Sequence, residues 1–315
     1  MRVIITGGTG FIGSQLANQM AAEGHEVIVL SRSPALAKGL SSKVRVEGWD
    51  AKTARGWGHL ADKTDVIVNL AGASIAGDNF FPSRWTDERK RLIIDSRVNA
   101  GKAVVEAIEA AETKPAVVIQ SSAVGYYGTH PNTVDITEDS PAGDDWLADV
   151  CQQWEASTAA VESMGVRRVI IRMGVVLSFE EGALSRMALP FQFFAGGPFG
   201  DGKQPLSWIH PADEIGAIRF LIKQAEASGP FNLTAPNPVT NAAFSRALGE
   251  VMGRPSLIPV PGFAFNAMFG EVATVVLDGQ RVLPQRLAEL GYTFQFTDAE
   301  AALRDLYRNR QAQTA

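Results

Sequence analysis

The stretch that most constrains this chain is its first thirteen residues, where a short apolar run meets four glycines. Val3 to Ile5 stops at Thr6, and glycines stand at 7, 8, 10 and 13. Leu16, Ala17, Met20 and Ala21 then recur at helical spacing. The pattern predicts a strand, a tight turn and a helix. Its spacing, Gly7-x-x-Gly10-x-x-Gly13, is one residue wider at the start than G-x-G-x-x-G. The first glycine lets the chain turn sharply. The middle one lets a pyrophosphate approach the backbone, and the last lets the helix pack close to the strand. A helix start also offers free N–H groups and the positive end of its dipole to phosphates.

The rest of the first half repeats strand and helix. A second strand, Glu26 to Leu30, ends at Ser31-Arg32-Ser33. A chain that reads NAD usually places an acid there for the ribose hydroxyls. Here Arg32 can pair with a 2′-phosphate and the serines can hydrogen-bond it, which favours NADP; as a plain loop residue Arg32 would be a solvated charge. Further strands are expected at Lys43 to Glu47, Asp65 to Gly72, Ala116 to Gln120 and Val169 to Met173. Ala71 and Gly72 would let backbone lie flat against a cofactor. Between these strands come a loop from Ala73 to Pro82 and helices at Arg84 to Glu112 and Asp145 to Met164. Arg97 lies deep in the first of those helices. This alternation predicts a doubly wound parallel sheet of the α/β class. Right-handed crossovers would bring Gly7 to Gly13, Ser31, Leu70 and Ser121 to one edge.

After residue 173 the pattern changes. A strand is expected at Gln204 to His210, a helix from Asp213, a short strand at Phe231 to Thr234, and a helix from Thr240 to Met252 that stops at Gly253. Helices starting at Pro284 and at Asp298 follow, with 311–315 loose. Residues 1–173 are assigned to a dinucleotide-binding domain, on which helix 213–226 also packs. Residues 174–315 are assigned to a smaller α/β lobe on the substrate side.

Composition excludes several classes. With 46% hydrophobic and 20% charged residues, a packed core is expected. The net charge of −5, without a long basic run, argues against nucleic acid. A single cysteine, Cys151, rules out an internal disulfide and fits a reducing compartment, so a cytoplasmic protein is expected. No signal peptide, membrane span or metal-ligand cluster is expected.

The motifs together resemble an extended short-chain dehydrogenase/reductase: Thr6 to Gly13, Asn69 to Gly72, Ser121-Ser122 and Arg172 to Leu177. Ala123 to Gly128, Trp154-Glu155, Gly196 to Gly200, Ser207 to His210, Asn232 to Pro238 and Gly279 to Pro284 narrow the likeness to its atypical "epimerase family" subgroup. The resemblance covers nearly the whole chain. It implies a Rossmann fold, NADP binding and a small C-terminal domain, and brings no known substrate. It also implies roles. Thr9, Gly10, Phe11 and Ile12 would hold the pyrophosphate, and Ser31 and Arg32 the 2′-phosphate. Leu70 and Ala71 would line the adenosine side, Arg97 would reach the cofactor, and Val176 would sit near the nicotinamide amide.

One feature of such enzymes is missing. They carry Tyr-x-x-x-Lys on the helix spanning Asp145 to Met164, and the two positions fall here on Leu147 and Cys151. Ser122 matches the catalytic serine; its other reading is a strand-end hydroxyl that satisfies backbone. Tyr126 is the candidate to replace the lost tyrosine. Making an unperturbed tyrosine a base at pH 7 costs roughly 4 kcal/mol. A tyrosine without its lysine therefore donates a proton better than it removes one, which suits carbonyl reduction by NADPH over epimerisation. Three functions stay open: an NADPH-dependent reductase of a small carbonyl or sugar-like substrate, a nucleotide-sugar epimerase as the family name suggests, and a non-catalytic NADP-binding sensor or partner-binding protein.

Overall fold

Alternating apolar residues decide the architecture, because each strand sends successive side chains to opposite faces and both faces are apolar. The computed structural model describes residues 1–77 and 82–314. Seven parallel strands form the central sheet: β1 (Arg2–Thr6), β2 (Glu26–Ser31), β3 (Val44–Gly48), β4 (Val66–Asn69), β5 (Val117–Ala123), β6 (Arg167–Met173) and β7 (Gly229–Leu233), in the order β7-β6-β5-β4-β1-β2-β3. The order reverses direction between β1 and β4, which opens a crevice at the carboxyl ends of those strands.

Val3, Ile5, Val27, Val29, Val68 and Ile119 face one core with Leu16, Ala17 and Met20 of helix α1 (Phe11–Ala22). Ile4, Ile28, Ile67 and Val118 face the other, against Ala100, Ala103, Val104 and Ile108 of helix α2 (Asp87–Ala110). Helix α3 (Trp146–Ala156) packs beside α2 on that side. A third core, built on Leu184, Phe191, Trp208, Phe244, Leu248 and Leu303, holds the second lobe. Its helices are α4 (Gly182–Gln192), α6 (Asn241–Met252), α7 (Gly262–Phe269), α8 (Thr274–Leu277) and α10 (Ala299–Thr314), whereas α9 (Gln285–Glu289) packs on β7 and puts Leu287 in the first core. Helix α5 (Pro211–Lys223) lies instead on the sheet, beside α1.

Several elements differ from expectation. The strand expected at 231–234 is β7, an edge strand of the main sheet paired with β6, so residues 174–315 do not form the lobe as one continuous piece. The lobe is mainly helical, and its extended segments are two-residue pairs such as Val175–Val176 with Trp208–Ile209. The 204–210 strand is split, since Pro205–Leu206 pairs with Val239–Thr240 instead. The helix expected over 145–164 ends at Ala156, and Ala159–Met164 is a 3₁₀ segment. Ser157 causes the break. Its hydroxyl bonds back to the Trp154 carbonyl at 2.6 Å, and its side chain fills the space that a Cβ at Gly101 would occupy. The last helix runs on to Thr314 rather than fraying at 311. Of the expected 73–82 loop, residues 78–81 lie outside the described residues, as does Ala315 of the expected loose end. The cap expected at Thr240 is present: its hydroxyl accepts from Ala243 N at 3.2 Å, and Gly253 closes the helix at φ 63°.

Candidate functional site

The glycine loop joins β1 to α1 at the crevice. Gly7 has φ 65°, a left-handed conformation that other residues resist. A Cβ on Gly13 would lie 2.4 Å from the Gly7 carbonyl oxygen, so only glycine lets α1 start this close to the loop. A Cβ on Gly10 would meet only that same oxygen, at 3.3 Å, and otherwise open space. Gly10 is the N-cap of α1, and no side chain caps the helix. The first-turn N–H groups around Phe11, Ile12 and Gly13, next to exposed Thr9, therefore point toward whatever fills that space.

A buried polar relay braces the strand ends around the loop. Thr6 Oγ1 donates to Asn69 Oδ1 at 2.6 Å and accepts from Ala71 N at 3.2 Å. Asn69 Nδ2 donates to Gln120 Oε1 at 2.9 Å, and Gln120 Nε2 to the Ser121 carbonyl at 2.8 Å. The relay sets the Leu70-Ala71-Gly72 turn opposite the glycine loop. The Ser121 hydroxyl, fully buried at the same edge, has no partner among the described residues. At the end of β2, Ser31 is buried and its hydroxyl accepts from Ser33 N at 3.2 Å, while Arg32 is exposed.

Arg97 reaches the edge from α2. It is buried, its Nη1 donates to the Ala73 and Ile93 carbonyls at 3.0 Å, and its guanidinium lies 4.7 Å from the centre of the Trp154 ring. A Cβ on Gly72 would sit 3.1 Å from Arg97 Cζ, so the glycine leaves room for the cation. No carboxylate pairs with it among the described residues, and burial pulls its pKa down to about 10. A buried cation without a counter-charge at a phosphate-binding edge fits an anionic ligand.

Next to Arg97 a cavity of about 410 Å³ opens between the sheet edge and the second lobe. Leu147 and Cys151 of α3 line it, so the positions expected to lack Tyr and Lys do face this space. Burial, followed by the Glu155 charge, pushes the Cys151 thiol up to about 12. Sequence reasoning missed the far wall: Glu271, Thr274, Val275, Asp278 and Gln280. Their one trace in the sequence is the Gly279 to Pro284 motif. Asp278 keeps its proton to higher pH than usual, through burial and then the nearby Asp145 charge. Val176, expected near the nicotinamide, follows Val175 in the short strand that forms part of the wall.

The two expected catalytic side chains lie just behind the cavity wall, Ser122 next to Cys151. Ser122 is fully buried and donates to Glu155 Oε1 at 2.6 Å. Glu155 is held by Arg172 at 2.8 and 3.0 Å, and Arg172 also donates to the Tyr127 hydroxyl at 2.9 Å. Tyr126 lays its ring 3.4 Å from the Arg172 guanidinium carbon. Neither Ser122 nor Tyr126 is among the residues lining the cavity. Ser122 completes a buried Glu155–Arg172 ion pair, and Tyr126 covers it. Burial pushes the Tyr127 hydroxyl up to about 12, and it donates to Asn232 at 2.7 Å. His210 caps α5 by accepting from Ala212 N at 3.1 Å and stacks on Phe296.

A switch-point crevice with a glycine cradle defines a Rossmann-type α/β protein. The chain belongs to the NAD dependent epimerase/dehydratase family, whose model matches residues 3–234. Residues 260–306 match the Domain of unknown function (DUF1731). An Arabidopsis thaliana protein called "Epimerase family protein SDR39U1 homolog, chloroplastic" is 42% identical over 96% of this chain and 86% of its own. The Bacillus subtilis epimerase family protein YfhF is 39% identical over 99% of both chains. The solved structure of human epimerase family protein SDR39U1 with NADPH matches with a TM-score of 0.86 at 35% identity, covering 98% of this chain and 100% of that one. A Bacillus cereus UDP-glucuronic acid 4-epimerase, at 16% identity and a TM-score of 0.79, covering 99% of this chain and 100% of its own, shares the fold. Among the described residues no helix is long and apolar enough to cross a membrane.

Proposed function

We propose that this protein binds NADP(H) and reduces a small carbonyl substrate in the cavity beside Cys151. The observation that carries the cofactor half is Arg32, an exposed cation at the end of β2 where an acid would select NAD. The human relative's structure with NADPH supports it. The residues present fit the cofactor. The open face of Gly10 and the uncapped start of α1 suit the pyrophosphate, Arg97 supplies an uncompensated positive charge, and Ser121 has a free hydroxyl. When bound, the nicotinamide supplies or accepts hydride. The chain's own residues bind it, exclude water and manage the proton.

Proton management favours reduction. Leu147 has no proton to exchange, and Cys151 holds its own too tightly to act as a base at neutral pH. Transient oxidation of a sugar hydroxyl, which an epimerase needs, begins with removal of a proton. Asp145 and Asp278 are the unpaired carboxyl groups on that wall, and burial, followed by the Asp145 charge, raises the Asp278 carboxyl. The same absence of tyrosine and lysine supports a second reading, a non-catalytic NADP-binding protein. The test has two stages. Arg32→Asp should reverse the ratio of NADPH to NADH affinity, and an unchanged ratio removes the NADP assignment. NADPH absorbance is then followed against aldehydes, ketones and nucleotide sugars. Consumption with a carbonyl supports the reductase, and tight binding with no consumption across the panel supports the sensor.

A further inference from the structure

The cavity walls limit what can lie beside the cofactor. Trp85 and Trp146 pack at 4.5 Å between ring centres, and Trp154 completes an aromatic side with Leu147 and Val150. The volume, about 410 Å³, is at the low end of ligand pockets, which run from roughly 300 to 1,000 Å³. The charges point the same way. Arg97 is the one cation among the described lining residues and lies on the Gly72 turn at the cofactor edge, while Lys90 stands behind the wall, 5.2 Å from the centre of the Trp146 ring. Glu271 is paired with Lys90 at 2.6 Å. Asp145 and Asp278 remain, and no salt bridge to either appears among the described residues. The N-terminus of α3, which faces the cavity, is capped by Asp145, whose Oδ1 accepts from Ala148 N at 2.8 Å. Its dipole is thus spent on a carboxylate rather than left for a phosphate.

A nucleoside diphosphate sugar carries about two negative charges on its diphosphate, and such groups are held by Arg or Lys side chains or by free helix starts. Beyond Arg97 the described lining residues offer neither, and the nearby Lys90 is taken up by Glu271. Building on the cofactor assignment above, we infer that the substrate is an uncharged carbonyl compound with an apolar body about the size of an aromatic ring system, and that nucleoside diphosphate sugars are not substrates. The ring packs on Trp85 and Trp146. In the reaction, hydride adds to the carbonyl carbon, the C=O π pair moves to oxygen, and the oxygen takes a proton from solvent water; NADPH leaves as NADP⁺.

The experiment uses the full chain saturated with NADPH. It is titrated with 2-naphthaldehyde, with UDP and with UDP-glucose, following thermal stability and tryptophan fluorescence. The expected result is that naphthaldehyde raises Tm and quenches fluorescence, while UDP and UDP-glucose do neither at millimolar concentration. Trp146→Ala should weaken naphthaldehyde binding at least about tenfold and leave NADPH affinity unchanged, which also shows that the variant is folded. UDP-glucose binding at submillimolar concentration overturns the inference. So does a failure of naphthaldehyde to bind, or unchanged affinity in Trp146→Ala. If NADPH itself does not bind, the cofactor assignment fails; the same titrations on the cofactor-free chain then decide the ligand class by the same outcomes.

Discussion

Glu214 offers a direct test of how burial governs this fold. It sits in the first turn of α5, fully buried, and neither carboxylate oxygen has a hydrogen-bond partner among the described residues. Its neighbour Asp213 differs: it accepts from Gln295 N at 2.7 Å and Phe296 N at 2.9 Å. Burial pushes the Glu214 carboxyl up to about 8 from 4.5. The sign follows from linkage. Between those two values the unfolded chain releases a proton that the folded chain keeps, so stability falls as pH rises, by about 1.4 kcal/mol per pH unit. The group's contribution is fully present below pH 4.5 and lost as pH rises toward 8. From pH 5.5 to 7.5 it should remove roughly 2.7 kcal/mol. Glu214→Gln cannot ionise. Its amide, also unpartnered, costs a pH-independent ~1–3 kcal/mol. The quantity to compare is therefore the slope. Urea unfolding followed by circular dichroism at several pH values should give a wild-type stability that declines relative to Glu214→Gln by that amount across the window. Parallel curves would mean that the carboxylate is solvated inside the fold, and the reasoning from burial would be refuted.

Other expectations follow from the site. Ser122→Ala removes a donor to a buried carboxylate and should cost about 1.5–3 kcal/mol in urea unfolding while leaving NADPH affinity unchanged; full stability with lost turnover would restore a catalytic serine. Gly13→Ala forces a Cβ to 2.4 Å from a backbone oxygen. It should lower Tm and weaken dinucleotide binding by at least about tenfold, read by fluorescence titration. Cys151, buried and with its thiol pushed up to about 12, should resist maleimide at pH 8 until the chain unfolds, and fast labelling of the native protein would contradict its environment.

Much of the fold was legible because its signals are local. The run Val3 to Ile5, the glycines and the helical spacing from Leu16 to Ala21 lie within one βα unit, and the structure follows them residue by residue. Thr240 and Gly253 marked both ends of α6 for the same reason. The misread elements depend on distant partners. Phe231 and Leu233 look like any short strand; that they join β6 follows from pairing with Ile171 and Met173, some sixty residues back. The break at Ser157 needs Gly101 of α2, and no Pro or Gly marks it. The site divided the same way. The cofactor edge is built from loop motifs that can be seen in the sequence. The cavity wall joins Leu147 and Cys151 to Val275 and Asp278, more than a hundred residues on, and no spacing encodes that meeting. Ser122 and Tyr126 were placed by analogy of position, and the Glu155–Arg172 pair that engages them is a tertiary fact.

The Thr6–Asn69–Gln120 relay has a consequence for folding as well as for the edge it braces. Strands β1, β4 and β5 are apolar on both faces, so sliding one past another by two residues would still set hydrocarbon against hydrocarbon. Asn69 and Gln120 are fully buried, and each finds its partner only when Thr6 is level with Asn69 and Asn69 with Gln120. A slip at either strand pair breaks one of these side-chain bonds in a dry interior, at ~1–3 kcal/mol for each unmet group. Three polar side chains thereby act as an alignment key for a sheet whose greasy strands could not align themselves.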